Sequence, residues 1–147
     1  MKKLLFSVLL VFAFSLPLYA QPMEIPSDSK CDACGMKVDP ESPFSAEIID
    51  KSGKLHAFCD IGDMASSYAK MKDTVEKIYV RDYSSKKWID AKSAFYSKSD
   101  NLKSPMGWNI AAFASKEDAS KYGEPMTFEK LTESISTMPK KQKMMMH

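Results

Sequence analysis

The spacing of apolar residues between positions 44 and 136 predicts a chain of short strands and helices. Alternation of apolar and polar side chains predicts strands over residues 44–50, 55–59, 75–83, 87–96 and 108–113. One further short strand is predicted near the C-terminus, over residues 125–128. Apolar residues three and four positions apart predict helices over 61–71, 115–122 and 128–136. Asp60 and Ser115 stand where the first two helices begin, and both are favourable N-cap residues.

The same order of predicted elements occurs twice along the chain. Residues 31–85 follow the order β-β-α-β, and residues 86–137 repeat it. Segments 57–68 and 112–122 share a strand, cap and helix pattern, which predicts an internal duplication. Each half is too small to bury much apolar surface alone, so the halves should share a core. The predicted class is α+β, with two small units packed together and antiparallel or mixed sheets.

Residues 1–20 have the pattern of a secretory signal peptide. Lys2 and Lys3 precede an apolar run over 4–16, and Ala20 offers a small residue at the cleavage point. The apolar run is short for a full bilayer span, and no Cys follows it directly to accept a lipid. We therefore expect export to the periplasm, an oxidising space, and no membrane anchor after cleavage.

Two segments outside the predicted elements have little periodicity. Residues 21–30 contain two prolines and are predicted as a flexible, extended lead-in. Residues 138–147 form a basic tail that ends in three thioethers and an imidazole, namely Met144, Met145, Met146 and His147. This tail is a candidate auxiliary collector of metal ions, because tethered weak ligands raise the local concentration of an ion; a solvated end without a role is the alternative.

Charge and composition narrow the class of function. The 147 residues include 21 Lys and Arg against 19 Asp and Glu, and without Lys2 and Lys3 the counts are 19 and 19. A neutral chain lacks the main electrostatic basis for nucleic-acid binding. The 11 Met and 3 Cys stand out beside only 5 Gly, and sulfur donors suit soft metal ions.

The segment Cys31-Asp-Ala-Cys34-Gly-Met36 is the densest group of candidate ligands. Two thiols and a thioether within six residues favour Cu(I), which prefers sulfur to carboxylate or amide oxygen. A zinc ribbon requires a second Cys pair, which the sequence lacks. A Cys3His zinc site, formed by Cys31 and Cys34 together with Cys59 and His56, is an alternative. His56 and Cys59 lie three apart near a strand end and should point to opposite faces, with Cys59 as the buried one.

The same Cys-x-x-Cys pair has a redox interpretation. Cys31 and Cys34 could form the active dithiol of a thiol-disulfide oxidoreductase, leaving Cys59 buried, bridged to a second chain through a shared metal ion, or a ligand. That chemistry favours a motif at a helix N-terminus after a strand, where the helix dipole lowers the thiol pKa. Gly35 and Pro40 instead predict a loop here. The oxidoreductase is therefore the alternative hypothesis.

Two motifs together resemble those of the NosL family, the exported accessory proteins of nitrous oxide reductase. They are Cys34-Gly35-Met36 and the later Ser104-Pro-Met106-Gly, which is followed by Ile-Ala-Ala-Phe-Ala-Ser over 110–115. The resemblance covers about residues 31–131. It implies two β-β-α-β units, similar to part of the organomercurial lyase fold. An actual mercury-carbon lyase is disfavoured, because Asp32 alone supplies an acid close to the paired cysteines.

The resemblance also implies an activity and a ligand set. The activity is Cu(I) binding and delivery, without catalysis, to an apo-enzyme such as nitrous oxide reductase. Carried over by motif, the ligands are Cys34, Met36 and Met106, with Cys31 as a weaker candidate. From the residues themselves, Pro105 and Gly107 should hold Met106 in a rigid turn, although ordinary packing of this Met is the alternative.

Overall fold

The computed structural model describes residues 21–138, and these residues adopt an α+β fold, which confirms the predicted class. The strands are β1 (Ala46–Asp50), β2 (Leu55–Phe58), β3 (Val75–Arg81), β4 (Trp88–Asp90), β5 (Phe95–Lys98) and β6 (Ile110–Phe113). The helices are α1 (Ile61–Met71), extended by a 3-10 turn over Lys72–Thr74, α2 (Lys116–Ser120) and α3 (Phe128–Thr137). Within 21–138, no helix is both long and apolar enough to cross a bilayer. The predicted signal peptide and the tail from residue 139 onward lie outside the described residues.

Two antiparallel sheets form the framework. The larger has the strand order β2-β1-β3-β4, and the smaller pairs β5 with β6. In the first unit, β1 lies between β2 and β3; in the second, β5 lies between β6 and Met126, which pairs with Tyr96 in an isolated bridge. A parallel bridge between Asp82 and Ala112 links the sheets. The duplication itself stays a prediction.

The single strand predicted over 87–96 is wrong, because the chain turns within it. The Asp90 carboxylate accepts N–H bonds from Lys92 and Ser93 at 2.8 and 3.3 Å, and the Asp90 carbonyl accepts one from Ala94 at 3.1 Å. This side chain thereby stabilises a turn of the Asx type. As a result the segment forms two strands in different sheets: β4 is the last strand of the larger sheet, and β5 pairs with β6 in the smaller one. The strand predicted over 125–128 is reduced to the bridge at Met126.

The predicted helix starts are confirmed by their caps. The Asp60 side chain accepts from Gly62 N–H at 3.2 Å, and that of Ser115 accepts from Asp118 N–H at 3.1 Å. Helix α1 then buries Ile61, Met64 and Ala65 against the main core. Its N-terminal turn packs on Trp108 so closely that a Cβ at Gly62 would overlap the indole ring. This contact brings the start of β6 to the start of α1.

The lead-in contacts the folded body rather than extending away from it. Ile25 is buried in the main core, and the Met23 N–H donates to Glu47 Oε1 at 2.8 Å. Glu47 is itself fully buried in the central strand β1, and its Oε2 has no hydrogen-bond partner. Burial therefore raises the pKa of this carboxyl from 4.5 to about 7, although the Met23 N–H and Arg81 act in the opposite direction.

Substituting Glu47→Gln should change how stability depends on pH. Between about pH 4.5 and 7 the folded protein retains the Glu47 proton that the unfolded chain releases, so the wild type loses stability as pH rises. We expect the free energy of unfolding of E47Q, measured relative to wild type in urea, to increase by up to about 3 kcal/mol from pH 4 to pH 8. A difference that does not change with pH would contradict this assignment.

Candidate metal site

Three thiols and one carboxylate converge where the Cys-x-x-Cys loop meets the start of α1. The ligand atoms of Cys31, Cys34, Cys59 and Asp63 all lie within 4.8 Å of one another. Cys34 Sγ and Cys59 Sγ are 3.5 Å apart, and Asp63 Oδ2 lies 3.6 Å from Cys31 Sγ and 3.9 Å from Cys59 Sγ. We call these four residues the thiol cluster. The arrangement offers a soft metal ion several donors without a large rearrangement.

The loop over 31–36 is folded back on itself by backbone hydrogen bonds. Cys31 N–H donates to the Met36 carbonyl at 2.7 Å, and Gly35 N–H donates to the Cys31 carbonyl at 2.8 Å. Gly35 has φ +76°, a conformation that favours glycine. Asp32 N–H donates to the Ala57 carbonyl at 3.0 Å and ties the loop to β2. The turn buries Cys31, leaves Cys34 half-buried and leaves Met36 50% exposed.

The other side of the thiol cluster comes from the start of α1. Cys59 follows β2 directly, and Asp63 lies in the first turn of the helix. Both are buried, and Asp63 Oδ1 accepts a 2.9 Å hydrogen bond from Trp108 Nε1. Cys59 is 3% exposed, so a metal ion shared between two chains through Cys59 would require the loop to open. Cys59 is thus the buried member of the His56–Cys59 pair, as its sequence context predicts.

Hydrogen bonding among the thiols separates their proton affinities. The contact with Cys59 lowers the pKa of Cys31 to about 5, even though burial acts in the opposite direction. The same contact raises the pKa of Cys59 well above its usual range, and burial raises that of Cys34. The three thiols therefore differ in how readily each gives up its proton. Metal binding at Cys34 would release a proton.

Met106 lies in a turn that is attached to the start of α1. Gly107 N–H donates to the Ser104 carbonyl at 3.1 Å, and Gly107 has φ +73°. Met106 N–H donates to Asp60 Oδ2 at 3.0 Å, across 46 residues of chain, and its side chain is partly buried against the main core. The structure thus brings the second motif to the residue that follows Cys59.

His56 lies outside the thiol cluster. Its Nδ1 is 2.6 Å from Asp32 Oδ2, and its Nε2 is 3.1 Å from Asp50 Oδ2, so both ring nitrogens have carboxylate partners. Among the described residues, the fourth member beside the three thiols is Asp63 and not His56. The auxiliary ligands predicted in the tail, Met144, Met145, Met146 and His147, lie outside the described residues.

Asp63 is the member of the site that sequence analysis missed. Its sequence context predicts only a place in the first turn of a helix, where an acidic residue is usually exposed and interacts favourably with the positive end of the helix dipole. The available signal was its position: Asp63 is the third residue of the helix that Asp60 caps, and an acidic side chain there can reach back toward the residues that precede the helix. Trp108, which fixes the carboxylate, is distant in sequence and could not be assigned to it.

The thiol geometry predicts which disulfide forms when the metal-free protein is oxidised. All three cysteines are free, and the Cys31 thiol points to Asp63 while Cys34 and Cys59 face each other. Oxidised glutathione should therefore join Cys34 to Cys59, with two molecules of reduced glutathione formed for each disulfide. Peptide mass spectrometry after alkylation would identify the linked pair.

The variant Cys31→Ser is the control for this prediction, and it should form the same disulfide at a similar rate. Prior loading with Cu(I) should protect both thiols. A dominant Cys31–Cys34 linkage would contradict the prediction and favour the oxidoreductase hypothesis. The structure already gives that hypothesis little support, because the Cys-x-x-Cys pair lies in a loop turn and not at a helix start.

The fold and the site together define a small α+β protein with a sulfur-rich candidate metal site at a loop–helix junction. The family model described as NosL matches residues 22–135, and the chain belongs to the NosL family. It is 25% identical over 130 residues to the copper-binding lipoprotein NosL of Stutzerimonas stutzeri, covering 78% of this chain and 68% of that protein. The crystal structure of the copper chaperone NosL from Shewanella denitrificans matches with a TM-score of 0.68 and 27% identity, covering 78% of this chain and 97% of the other.

Proposed function

We propose that this protein is a periplasmic Cu(I) carrier that delivers copper for the assembly of nitrous oxide reductase or a similar enzyme. The observation that carries the proposal is the exposed position of the Cys34-Gly35-Met36 turn beside two buried cysteines. A thiol and a thioether at the surface can receive a soft ion and pass it on by ligand exchange. The names of the relatives, a copper-binding lipoprotein and a copper chaperone, support this assignment.

The ligand set that suits a carrier is Cys34, Met36 and Met106. Two or three ligands on loops leave a position open, and an acceptor can enter there and displace them one at a time. Thioethers add a further advantage in an oxidising space, because they need no deprotonation and cannot be lost to a disulfide. The buried thiols Cys31 and Cys59 lie behind this outer set and can stabilise the loaded state.

The oxidation state follows from the same donors. Thiolate and thioether ligands favour Cu(I) over Cu(II), which prefers nitrogen and oxygen in a square-planar arrangement. The imidazole of His56, the natural nitrogen donor of this region, is held by two carboxylates instead. We therefore assign Cu(I) as the cargo. A carrier of this kind performs no covalent chemistry and is not an enzyme.

Copper transfer tests the proposed function. The Cu(I)-loaded protein, mixed without oxygen with copper-free nitrous oxide reductase, should lose its copper and increase reductase activity more than an equal amount of Cu(I)-glutathione does. Cys34→Ser should abolish this advantage. An activity gain equal to that from Cu(I)-glutathione, or no transfer at all, would remove delivery to this enzyme from the proposal.

A further inference from the structure

We propose that Asp60 is a positioning residue for copper binding: it holds Met106 in place as a ligand beside Cys34. This inference rests on the proposed function and deepens it. Asp60 does not belong to the thiol cluster, and nothing in its sequence context beyond helix capping distinguishes it. Its contacts in the structure give it a second role.

Asp60 uses its two oxygens for two different elements. Oδ1 accepts the Gly62 N–H at 3.2 Å and caps α1, whereas Oδ2 accepts the Met106 N–H at 3.0 Å. The hydroxyl of Ser104, in the same turn as Met106, also donates to this carboxylate. Asp60 is fully buried and directly follows Cys59. One side chain therefore joins the Met106 turn to the helix start that carries the thiols.

An aspartate at position 60 provides more than a helix cap requires. Ser, Thr or Asn would cap a helix about as well, and burying a carboxylate costs free energy unless its oxygens are hydrogen-bonded. A serine hydroxyl serves the cap alone, whereas a carboxylate has two acceptor oxygens and can serve two elements at once. The buried charge is explained by the second set of bonds, those to Met106 and Ser104.

A thioether gains more from such positioning than a thiolate does. It is uncharged and a weak donor, so its contribution to affinity depends on being already ordered when the ion arrives. The turn has internal bonds, from Asn109 N–H to Ser104 Oγ at 2.9 Å and from Ser104 N–H to Asn109 Oδ1 at 3.4 Å. These bonds shape the turn, but Asp60 fixes its position relative to Cys59.

A double-mutant cycle tests the inference. Asp60→Ser retains a helix cap and removes the bond to Met106, and it is compared in the wild-type background and in Met106→Leu. Asp60→Ser should lower Cu(I) affinity by about 10- to 100-fold, the usual effect of losing a supporting interaction at a metal site, and Met106→Leu, which removes the ligand itself, should lower it at least as much. Asp60→Ser should cause no further loss when Met106 is already Leu.

Spectroscopy supplies a readout that a general loss of stability does not change. With methionine methyl groups labelled with 13C, the Met106 signal of wild type should shift on Cu(I) loading, whereas in Asp60→Ser it should stay near its metal-free position. Asp82→Ser is the matched control, because Asp82 is also buried and accepts N–H bonds from Ser85 and Ala114, away from the thiols. It should leave Cu(I) affinity unchanged.

The outcomes separate this inference from the proposed function. Unchanged affinity in Asp60→Ser, or an equal loss in both backgrounds, would overturn the role of Asp60 while the carrier function stands. Weak Cu(I) binding by wild type itself would overturn the proposed function. If Asp60→Ser does not fold, Asp60→Asn replaces it, since the amide keeps one acceptor oxygen for the cap and loses the other; the same cycle then applies.

Discussion

Cys34→Ser should cause the largest loss of Cu(I) affinity of any single substitution in this protein. Cys34 is the half-buried thiol of the exposed turn, 3.5 Å from Cys59, and an incoming ion meets its sulfur first. The sulfur becomes anionic when the thiol loses its proton on binding. Removing it leaves an outer set of neutral thioethers. We expect a loss greater than the roughly 100-fold that follows removal of an outer hydrogen-bond partner. An oxygen-free titration against a chromophoric Cu(I) chelator measures it.

Cys31→Ser and Met64→Leu provide the comparison for this loss. Cys31 is buried behind the turn, so its replacement should reduce affinity less than Cys34→Ser does. Met64 is fully buried in the core on α1, and replacing it with Leu conserves an apolar side chain of similar size and should leave affinity unchanged. A greater loss in Cys31→Ser than in Cys34→Ser would contradict the account and indicate a closed thiolate site.

Of the substitutions proposed for stability measurements, Gly62→Ala should cause the largest loss in the free energy of unfolding. A Cβ at residue 62 would overlap the Trp108 indole, which is fully buried, so neither the ring nor the helix start can move away freely. Overpacking of this kind costs typically 1–3 kcal/mol and occasionally more. We expect about 3 kcal/mol or more in the free energy of unfolding, measured by urea denaturation. The change should also weaken Cu(I) binding, because Trp108 orients Asp63 within the thiol cluster.

The matched control is Gly53→Ala, in the β1–β2 turn. Gly53 has φ +82°, and a Cβ there meets no atom within 4 Å, so the variant bears only the backbone cost of about 1 kcal/mol. It should bind Cu(I) as wild type does. Equal destabilisation by the two substitutions would show that the contact between Gly62 and Trp108 is less tight than described.

Most elements follow from local patterns, and the exceptions have a physical cause. The strands β1, β2 and β3 and the capped start of α1 are visible in the sequence, because each has a local pattern of apolar residues or a capping side chain. The break between β4 and β5 is not visible, because the apolar residues Trp88, Ala91 and Tyr96 continue across it. The turn depends on the Asp90 side chain, and short polar residues occur inside strands as well as turns.

The candidate site also combines residues that a local motif predicts with contacts that join distant parts of the sequence. The loop ligands Cys34 and Met36 are adjacent in sequence, so their motif is sufficient to propose them. The bonds from Trp108 to Asp63 and from Met106 to Asp60 span 45 and 46 residues, and no periodicity in a single sequence encodes such pairs. His56 is close to Cys59 in sequence, but its ring nitrogens lie against Asp32 and Asp50 and not in the thiol cluster. This separation agrees with the expectation that the two side chains point to opposite faces.

The most direct test of the carrier site is copper X-ray absorption on Cu(I)-loaded protein labelled with selenomethionine. Met144, Met145 and Met146 are replaced with Leu beforehand, so that any selenium near copper comes from the remaining methionines. The account predicts both sulfur and selenium in the first coordination shell, and loss of part of the selenium signal in Met106→Leu. A shell of three sulfur atoms without selenium would contradict it, since copper would then lie among Cys31, Cys34 and Cys59.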